Sequence, residues 1–351
     1  MHKQATPLIV QYLYVHEPGE GFSYPTARSG SSVARVAARY LECALVQAAS
    51  LSLRNVDCEQ VLVTNVSDRE VLGRNGIELL ERIESLGVSV ISAEYLHRPG
   101  DDNEFYVSSR YVLDAILAAG EGQSEDRQLW LTDLDCVWLD AERVFAASPP
   151  AEEIGCIQIE YPLDWDGVGT GELAVTRESI GELAASIDAA SDPAPPWIGG
   201  ELLSGTAKAL RQLVVSCEDI DARLAERGEA LLTEEQVLTL AGALGRVRFR
   251  ELSAVAGRVH TGPRHSAVPR DDSRLPGLWH LPSEKGLSLR RAAGQVRRGR
   301  TERLRRDLAD PERAARRFNV AGVGVMRRIL DDSWIARQRI GGAARSVIGA
   351  P

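Results

Sequence analysis

The sequence predicts an α/β fold built around a central, mostly parallel mixed sheet. Short apolar runs typical of buried strands alternate with segments whose apolar residues recur at helical spacing. This alternation fills about the first 135 residues, and it is typical of strands joined by crossover helices in a parallel sheet. Two carboxylates follow the last of these strands at mid-chain. Ligands of open α/β sheets bind at the carboxyl ends of strands, so this position favours a binding site.

The first part of the chain divides into strands and helices in regular order. We predict strands over residues 8–15, 60–65, 88–92 and 129–139, separated by helices over 33–45, 75–86 and around Tyr106 to Ile116. Residues 17–32 are rich in Gly, Pro and Ser and predict a loop.

Beyond this point the alternation loosens. We predict strands over 154–161, 173–176 and 247–252, helices over 178–190, 201–213, 220–226 and 234–244, and loops over 166–171, 193–200 and 261–276. The second half is therefore expected to complete the sheet with a less regular topology.

Composition excludes several classes of protein. The chain has 351 residues, of which 44% are hydrophobic and 26% charged, as in ordinary globular proteins. No apolar run approaches the roughly 18–20 residues of a membrane span. Its five cysteines are scattered without a Cys-x-x-Cys pair, which favours reduced thiols in the cytoplasm over a disulfide scaffold.

The net charge of −9 conceals a strong asymmetry. Residues 290–351 contain 16 arginines and 6 acidic residues, a net charge of +10, which leaves −19 on the rest. This basic region could pack on the acidic body or on a second subunit, dock on an anionic membrane, or bind nucleic acid. We expect packing first and peripheral membrane contact second. We expect no nucleic acid, because no aromatic interleaving or known motif accompanies the arginines.

The most informative motif is the acidic pair Asp133 and Asp135 at the end of an apolar run. Alternation along a strand would place both carboxylates on one side, where burial is costly unless a cation offsets them. A divalent ion that carries phosphate oxygens is the natural candidate, and a solvated strand end with a capping Asp is the alternative. Two further Asp-x-Asp strings, at 164–166 and 219–221, follow no comparable run.

Three other segments carry candidate chemistry. Residues 197–201 (WIGGE) place Glu201 after two glycines, where it could take a hydroxyl proton or merely open a helix. Residues 278–286 (LWHLPSEKG) contain His280, a suitable third metal ligand, and Lys285, which could neutralise a leaving group. The alternative is a surface turn with a half-buried histidine. Residues 233–238 (TEEQVL) have the pattern of a capped helix start.

These motifs and their order resemble the nucleotide-sugar glycosyltransferases of the GT-A fold, over residues 7–286. The resemblance implies that Asp133, Asp135 and His280 hold Mn²⁺ or Mg²⁺ against the diphosphate of a nucleotide sugar. It also implies that Lys285 meets the diphosphate and that Glu201 contacts the acceptor or acts as the base. Two departures stand out: Ile198 interrupts the Trp-Gly-Gly-Glu element, and Lys285 follows His280 by five residues, not by the six of glycogenin-like transferases.

Further residues are weaker candidates. Arg110, before the acidic strand, could reach phosphate, although an exposed helical arginine is the simpler interpretation. Glu172 could line a sugar pocket, residues 17–32 could close over the base, and His260, Arg264 and His265 could form a lid.

We therefore predict a GT-A domain over residues 1–287, with a nucleotide-binding half at 1–140 and an acceptor half at 141–287. A basic helical extension would follow at 288–351.

The expected function is metal-dependent transfer of a hexose from a nucleotide diphosphate sugar to an undetermined acceptor, which could be a glycan, a lipid-linked sugar or a small molecule. Residues 197–201 favour inversion and the His280–Lys285 segment favours retention. The alternatives are a sugar nucleotidyltransferase and a non-catalytic nucleotide-binding or interaction protein. We expect a cytoplasmic protein, with the inner face of the membrane as a second location.

Overall fold

The computed structural model describes residues 6–17, 32–99, 108–159, 175–259, 261 and 276–320. The first half contains β1 (Leu8–Leu13), α1 (Val33–Ser52), β2 (Glu59–Thr64), α2 (Gly73–Glu84), β3 (Val88–Ser92), α3 (Tyr111–Gly120), β4 (Gln128–Thr132), β5 (Cys136–Trp138) and α4 (Ala141–Phe145). The second half contains β6 (Glu153–Ile159), α5 (Arg177–Ile187), β7 (Trp197–Thr206), α6 (Ala207–Glu226), α7 (Glu234–Ala243), β8 (Arg248–Glu251), β9 (Ala256–Arg258), β10 (Leu278–His280), α8 (Ser288–Arg297), α9 (Thr301–Leu308) and α10 (Pro311–Arg317).

A mixed sheet of seven strands forms the centre, in the order β3-β2-β1-β4-β7-β6-β8. The first four strands in this order are parallel, β7 runs antiparallel to both β4 and β6, and β6 and β8 are parallel. The predicted mixed α/β architecture is therefore confirmed. The predicted strand–helix alternation corresponds to the parallel part of the sheet.

A second, smaller sheet brings distant parts of the chain together in the order β5-β10-β9. Its register places His280 opposite Cys136 on one side and opposite Arg258 on the other. Because β5 begins directly after Asp135, this small sheet carries His280 to the acidic pair.

Apolar side chains cover both faces of the large sheet. Residues of α3, α6 and α7 pack with β1 and β4 in one cluster, while α1, α2 and α8–α10 contribute to another. A third cluster surrounds the buried indoles of Trp130 and Trp138, whose ring centroids lie 6.4 Å apart. These layers bury both faces of the central strands, which is why apolar residues fill most of their positions and even the polar Gln11 of β1 is fully buried.

The structure corrects the prediction for residues 193–213. Residues 197–206 form strand β7 rather than a loop and the start of a helix, and α6 begins only at Ala207. Every residue of β7 is buried, so the strand shows no alternation of polar and apolar positions. Its two adjacent glycines then resemble loop residues in the sequence.

The acidic pair also lies in a different local structure from the one predicted. Strand β4 ends at Thr132, and a turn at residues 133–135 connects it to β5 in the second sheet. The backbone nitrogen of Asp133 donates to the carbonyl of Glu201, 3.0 Å away, which ties this turn to β7. The two carboxylates converge because the chain turns, not because a strand alternates.

The helices α8–α10 pack on the body of the protein. Leu289, Val296 and Phe318 are buried in the same cluster as α1 and α2. The Arg297 guanidinium lies 2.9 Å from the carboxylate of Glu78. Packing of this described part on the body is as expected, whereas the boundary at 287/288 stays a prediction. The part of the predicted helical extension beyond residue 320 lies outside the described residues.

None of the helices in the described ranges is long and apolar enough to cross a membrane. All five cysteines are free thiols.

His97, which follows β3, lies between two carboxylates, and this arrangement predicts how the stability of the fold depends on pH. His97 places its Nδ1 2.8 Å from Asp114 and its Nε2 3.1 Å from Glu218, and these hydrogen bonds raise its pKa against the opposing effect of burial. A raised pKa stabilises the fold below the ordinary value of about 6.5 and loses that effect as pH rises through the raised value. We expect His97→Gln to lower the free energy of unfolding by about 1–3 kcal/mol at acidic pH, and by less at alkaline pH. Urea denaturation of wild type and variant across pH tests this. A difference in their free energies of unfolding that increases with pH would contradict it.

Candidate active site

A cavity of about 150 Å³ opens at the edge of the large sheet where β1 and β4 end. These two parallel strands are the point at which the strand order reverses, the usual ligand position in open α/β sheets. The lining residues are Tyr12, Leu13, Tyr14, Tyr40, Ser108, Ser109, Asp133, Leu134, Asp135, Glu234 and Lys285.

The acidic pair and His280 form one compact group beside this cavity. The Nε2 atom of His280 lies 3.4 Å from Oδ2 of Asp133 and 3.3 Å from Oδ2 of Asp135. One ligand atom from each residue lies within 4.8 Å of the other two. The structure therefore brings His280 next to Asp133, although the two residues are 147 positions apart in the sequence.

This group has the donor set and spacing of a divalent metal site. Two ligand atoms bound at about 2.1 Å from one ion lie about 3 Å apart, close to the separations seen here. Within the described structure, neither ring nitrogen of His280 has a hydrogen-bond partner, although both are buried. Buried polar atoms are rarely left without partners, so the residues fit a bound Mn²⁺ or Mg²⁺.

Lys285 and Tyr12 complete the surroundings of the two carboxylates. The Nζ atom of Lys285 lies 3.2 Å from Oδ2 of Asp135 and 5.2 Å from the ring centroid of Tyr40. The hydroxyl of Tyr12 donates to Oδ1 of Asp133 at 2.6 Å. Tyr12 thereby orients one carboxylate, while Lys285 supplies a cation at the cavity wall.

The charges in this group shift one another's pKa values. Burial raises the pKa of Asp135, but the attraction of Lys285 and His280 outweighs it and holds that pKa below its ordinary value. Burial lowers the pKa of Lys285, but Asp135 outweighs it and raises that pKa. For Asp133, burial dominates and the pKa is raised. At neutral pH the site therefore combines an ionised Asp135 with a charged Lys285.

Glu201 lies behind His280 and is held by an arginine that the sequence analysis did not select. Arg258 donates from Nε to Oε1 of Glu201 at 2.9 Å and from a terminal nitrogen to Oε2 at 2.6 Å. The same guanidinium binds Glu235, whose other oxygen accepts from the Trp197 indole at 2.8 Å. Arg258 had no signal in the sequence, because a single arginine in a three-residue strand has no pattern.

This arrangement is unfavourable for the predicted role of Glu201 as the base. Its side chain is 1% exposed and does not line the cavity. Burial raises its pKa, but Arg258 and His280 outweigh burial and lower it. Its Oε1 atom lies 3.9 Å from Nδ1 of His280. The structure thus brings Glu201 to the back of the candidate metal site, and its catalytic role stays a prediction.

The glycines of the 197–201 segment make room for carboxylates. A Cβ atom on Gly199 would lie 2.3 Å from Oε2 of Glu201, and one on Gly200 would lie 2.5 Å from Cγ of Glu234. The two glycines therefore leave the space that the side chains of Glu201, in the same strand, and Glu234, in α7, occupy.

Gly200→Ala should therefore displace Glu234 from the cavity wall. For the transferase activity predicted from the sequence, we expect a loss on the order of 10²-fold, since small misplacements of site residues have effects of that size. Gly205→Ala in the same strand is the matched control, because a Cβ there meets its nearest atom at 3.4 Å. Activity assays on both variants check this, and equal activities would contradict it.

Glu234 itself is a cavity residue with an unusual charge state. It is the first residue of α7, whose start has the predicted capping box between Thr233 and Gln236. Burial, followed by the neighbouring charges of Glu235 and Asp133, raises the pKa of Glu234 to about 8. The segment 233–238 therefore begins a helix, as predicted, and also supplies a cavity residue.

The structure does not bring Arg110 to the cavity. Arg110 directly precedes α3, is 4% exposed and pairs with Asp221 of α6. The Asp-x-Asp string at 219–221 is thus engaged in ion pairs, with Asp219 bound to Arg223 at 2.9 Å. The string at 164–166, the loop residues 18–31, and Glu172, His260, Arg264 and His265 lie outside the described residues.

Comparisons with solved structures identify the fold. The galactosyltransferase LgtC, in complex with donor and acceptor sugar analogs, matches 83% of this chain and 95% of its own, with a TM-score of 0.50 and 9% identity. The bifunctional glycosyltransferase WbbM matches 79% of this chain and 46% of its own, with a TM-score of 0.46 and 11% identity. GlyE of Streptococcus pneumoniae matches 88% of this chain and 64% of its own, with a TM-score of 0.43 and 13% identity.

No family profile matches the chain. No curated protein matches its sequence. The chain thus has a fold similar to that of a glycosyltransferase.

Proposed function

We propose that this protein is a metal-dependent glycosyltransferase that uses a nucleotide diphosphate sugar as donor. The observation that carries the proposal is the convergence of Asp133, Asp135, His280 and Lys285 at the strand ends of a fold similar to that of LgtC. The donor and acceptor analogs belong to the LgtC complex, and sugar substrates for this chain are inferred from that likeness.

In this proposal the two acidic residues and His280 would hold Mn²⁺ or Mg²⁺. The ion would supply positive charge against the diphosphate leaving group. Lys285 adds a second cation at the cavity wall, fixed in place by Asp135. Tyr12 holds Asp133 in orientation through its hydroxyl.

Two glutamates take different roles in the proposal. Glu234 lines the cavity, and burial raises the pKa of its carboxyl to about 8 while no ion is bound, so it is proposed to hydrogen-bond a sugar hydroxyl. Glu201 is proposed as a positioning residue, because Arg258 fixes it behind the imidazole of His280. A phosphate-binding role for Arg110 is not included, since that side chain is paired with Asp221.

Incubating the protein with a panel of nucleotide sugars and Mn²⁺ tests the proposal. Release of nucleoside diphosphate, by transfer or slow hydrolysis, is the expected result. Release of pyrophosphate from a nucleoside triphosphate and a sugar 1-phosphate would instead indicate a nucleotidyltransferase. Binding without turnover of any donor, with or without oligosaccharide acceptors, would indicate the non-catalytic alternative.

A further inference from the structure

The helices α8, α9 and α10 surround a second concavity, with a volume of about 390 Å³. This is larger than the candidate active-site cavity and falls in the range of about 300–1,000 Å³ typical of ligand sites. The two cavities share no lining residue. The charged groups that line it are Arg291, Arg303, Arg313, Arg316, Arg317 and Asp307.

Within the described ranges, five guanidinium groups and a single carboxylate face this cavity. Like charges placed together repel one another unless a counter-charge is present. Among the described residues, no carboxylate lies within ion-pair distance of Arg291 or Arg303, and both arginines are exposed. The cavity therefore has positive charge that the described protein does not neutralise.

One arginine is held in a fixed position by the cavity wall. Arg317 donates to Asp307 at 2.5 Å and to Gln295 at 2.5 Å, and its side chain is only 10% exposed. These contacts come from two other helices, so the guanidinium stays in place without a ligand. Such preorganisation reduces the entropy lost when a ligand binds.

Two other arginines pair, as far as the described residues show, with carboxylates of α10 or its N-cap residue alone. Arg313 lies 3.1 Å from Asp310 and Arg316 lies 3.4 Å from Glu312, and all four side chains are more than 40% exposed. Exposed pairs of this kind contribute at most about 1 kcal/mol. Both guanidinium groups are therefore available to a more strongly charged partner.

We infer that this cavity binds a phosphate or diphosphate group at a site separate from the candidate active site. The planar fork of arginine matches phosphate oxygens in bidentate geometry, and several arginines together favour a ligand with more than one negative charge. A carboxylate ligand would neutralise only one of the five cations. The group could belong to a soluble phosphate ester or to the headgroup of an anionic phospholipid, since both present the same oxygens.

The test measures binding of inorganic pyrophosphate to the full chain in EDTA by calorimetry. EDTA removes divalent ions, so pyrophosphate cannot bind through a metal at the acidic pair. The double variant Arg291→Gln/Arg303→Gln removes the two unneutralised charges. The matched control is Arg298→Gln/Arg306→Gln, which removes two exposed arginines of the same region that do not line the cavity.

We expect pyrophosphate affinity to fall at least about tenfold in the cavity variant, from the loss of charge-assisted hydrogen bonds, and to stay unchanged in the control. Pyrophosphate binding should also persist in Asp135→Asn, which alters only the other cavity.

Sedimentation with phosphatidylcholine vesicles, with or without phosphatidic acid, shows whether the phosphate group belongs to a lipid headgroup or to a soluble ester. Selective loss of vesicle binding in the cavity variant would support a lipid headgroup, and loss of pyrophosphate binding alone would support a soluble ester. Equal losses in both variants, or no binding of either probe to the wild type, would overturn the inference.

Discussion

Asp135→Asn is expected to reduce sugar transfer by on the order of 10²–10³-fold, the scale seen when a group that stabilises a leaving charge is lost. Asp135 is 1% exposed, and its carboxylate lies 3.3 Å from His280 and 3.2 Å from Lys285, so its charge holds both groups at the site. The change keeps the side-chain volume and removes only the charge. Steady-state kinetics with Mn²⁺, together with thermal unfolding with and without Mn²⁺, measure the effect.

The chain offers a matched control for this variant. Asp219 belongs to another Asp-x-Asp string, lies on α6 and is 47% exposed in its pair with Arg223. Asp219→Asn removes the same charge and should leave both activity and the Mn²⁺-dependent thermal shift unchanged. Wild-type turnover in Asp135→Asn, with intact Mn²⁺ dependence, would contradict the assignment.

Arg258→Met is expected to have the largest effect on stability. It would leave Glu201 and Glu235 buried without their shared cation, and breaking a buried ion pair by removing one partner costs about 3–5 kcal/mol. Removing all three charges together, with Glu201→Gln and Glu235→Gln added, should recover much of that loss. Urea denaturation followed by circular dichroism measures both variants.

The effect of Arg258→Met should depend on pH in a defined direction. Arg258 lowers the pKa of Glu201 against burial, so the pair stabilises the fold above the ordinary pKa of about 4.3 and loses that effect as pH falls through the lowered value. In the variant, protonation of the unpaired glutamates as pH falls removes the free-energy cost of burying their charges. The difference in the free energy of unfolding between variant and wild type should therefore be largest at neutral pH and smaller in acid. A difference that increases in acid would contradict this.

Much of the structure of the first 140 residues was predicted from sequence periodicity. The strands at residues 88–92 and 60–65 and the helix starting at residue 33 were predicted closely, because each has one buried face or one continuous apolar run. The convergence of Asp133, Asp135 and His280 was also predicted, although through a resemblance. Its physical basis is the pairing of β5 with β10, which no local pattern in the sequence encodes.

The parts that sequence reasoning missed share a physical cause. Strand β7 is buried on both sides, so its polar and apolar residues do not alternate. Its adjacent glycines leave space for Glu201 of the same strand and Glu234 of α7. Arg258 acquires its importance only through contacts with Glu201 and Glu235, which lie 57 and 23 residues away. Networks assembled by tertiary contacts are not visible in local sequence.

The central claim is that Asp133, Asp135 and His280 bind a divalent ion that carries a diphosphate. Titration of the full chain with Mn²⁺, followed by electron paramagnetic resonance with and without uridine or guanosine diphosphate, tests it most directly. The account predicts one bound Mn²⁺ per chain, tighter binding with one of the nucleotides, loss of binding in Asp135→Asn and His280→Ala, and wild-type binding in Asp219→Asn. Undiminished Mn²⁺ binding in both Asp135→Asn and His280→Ala would contradict it.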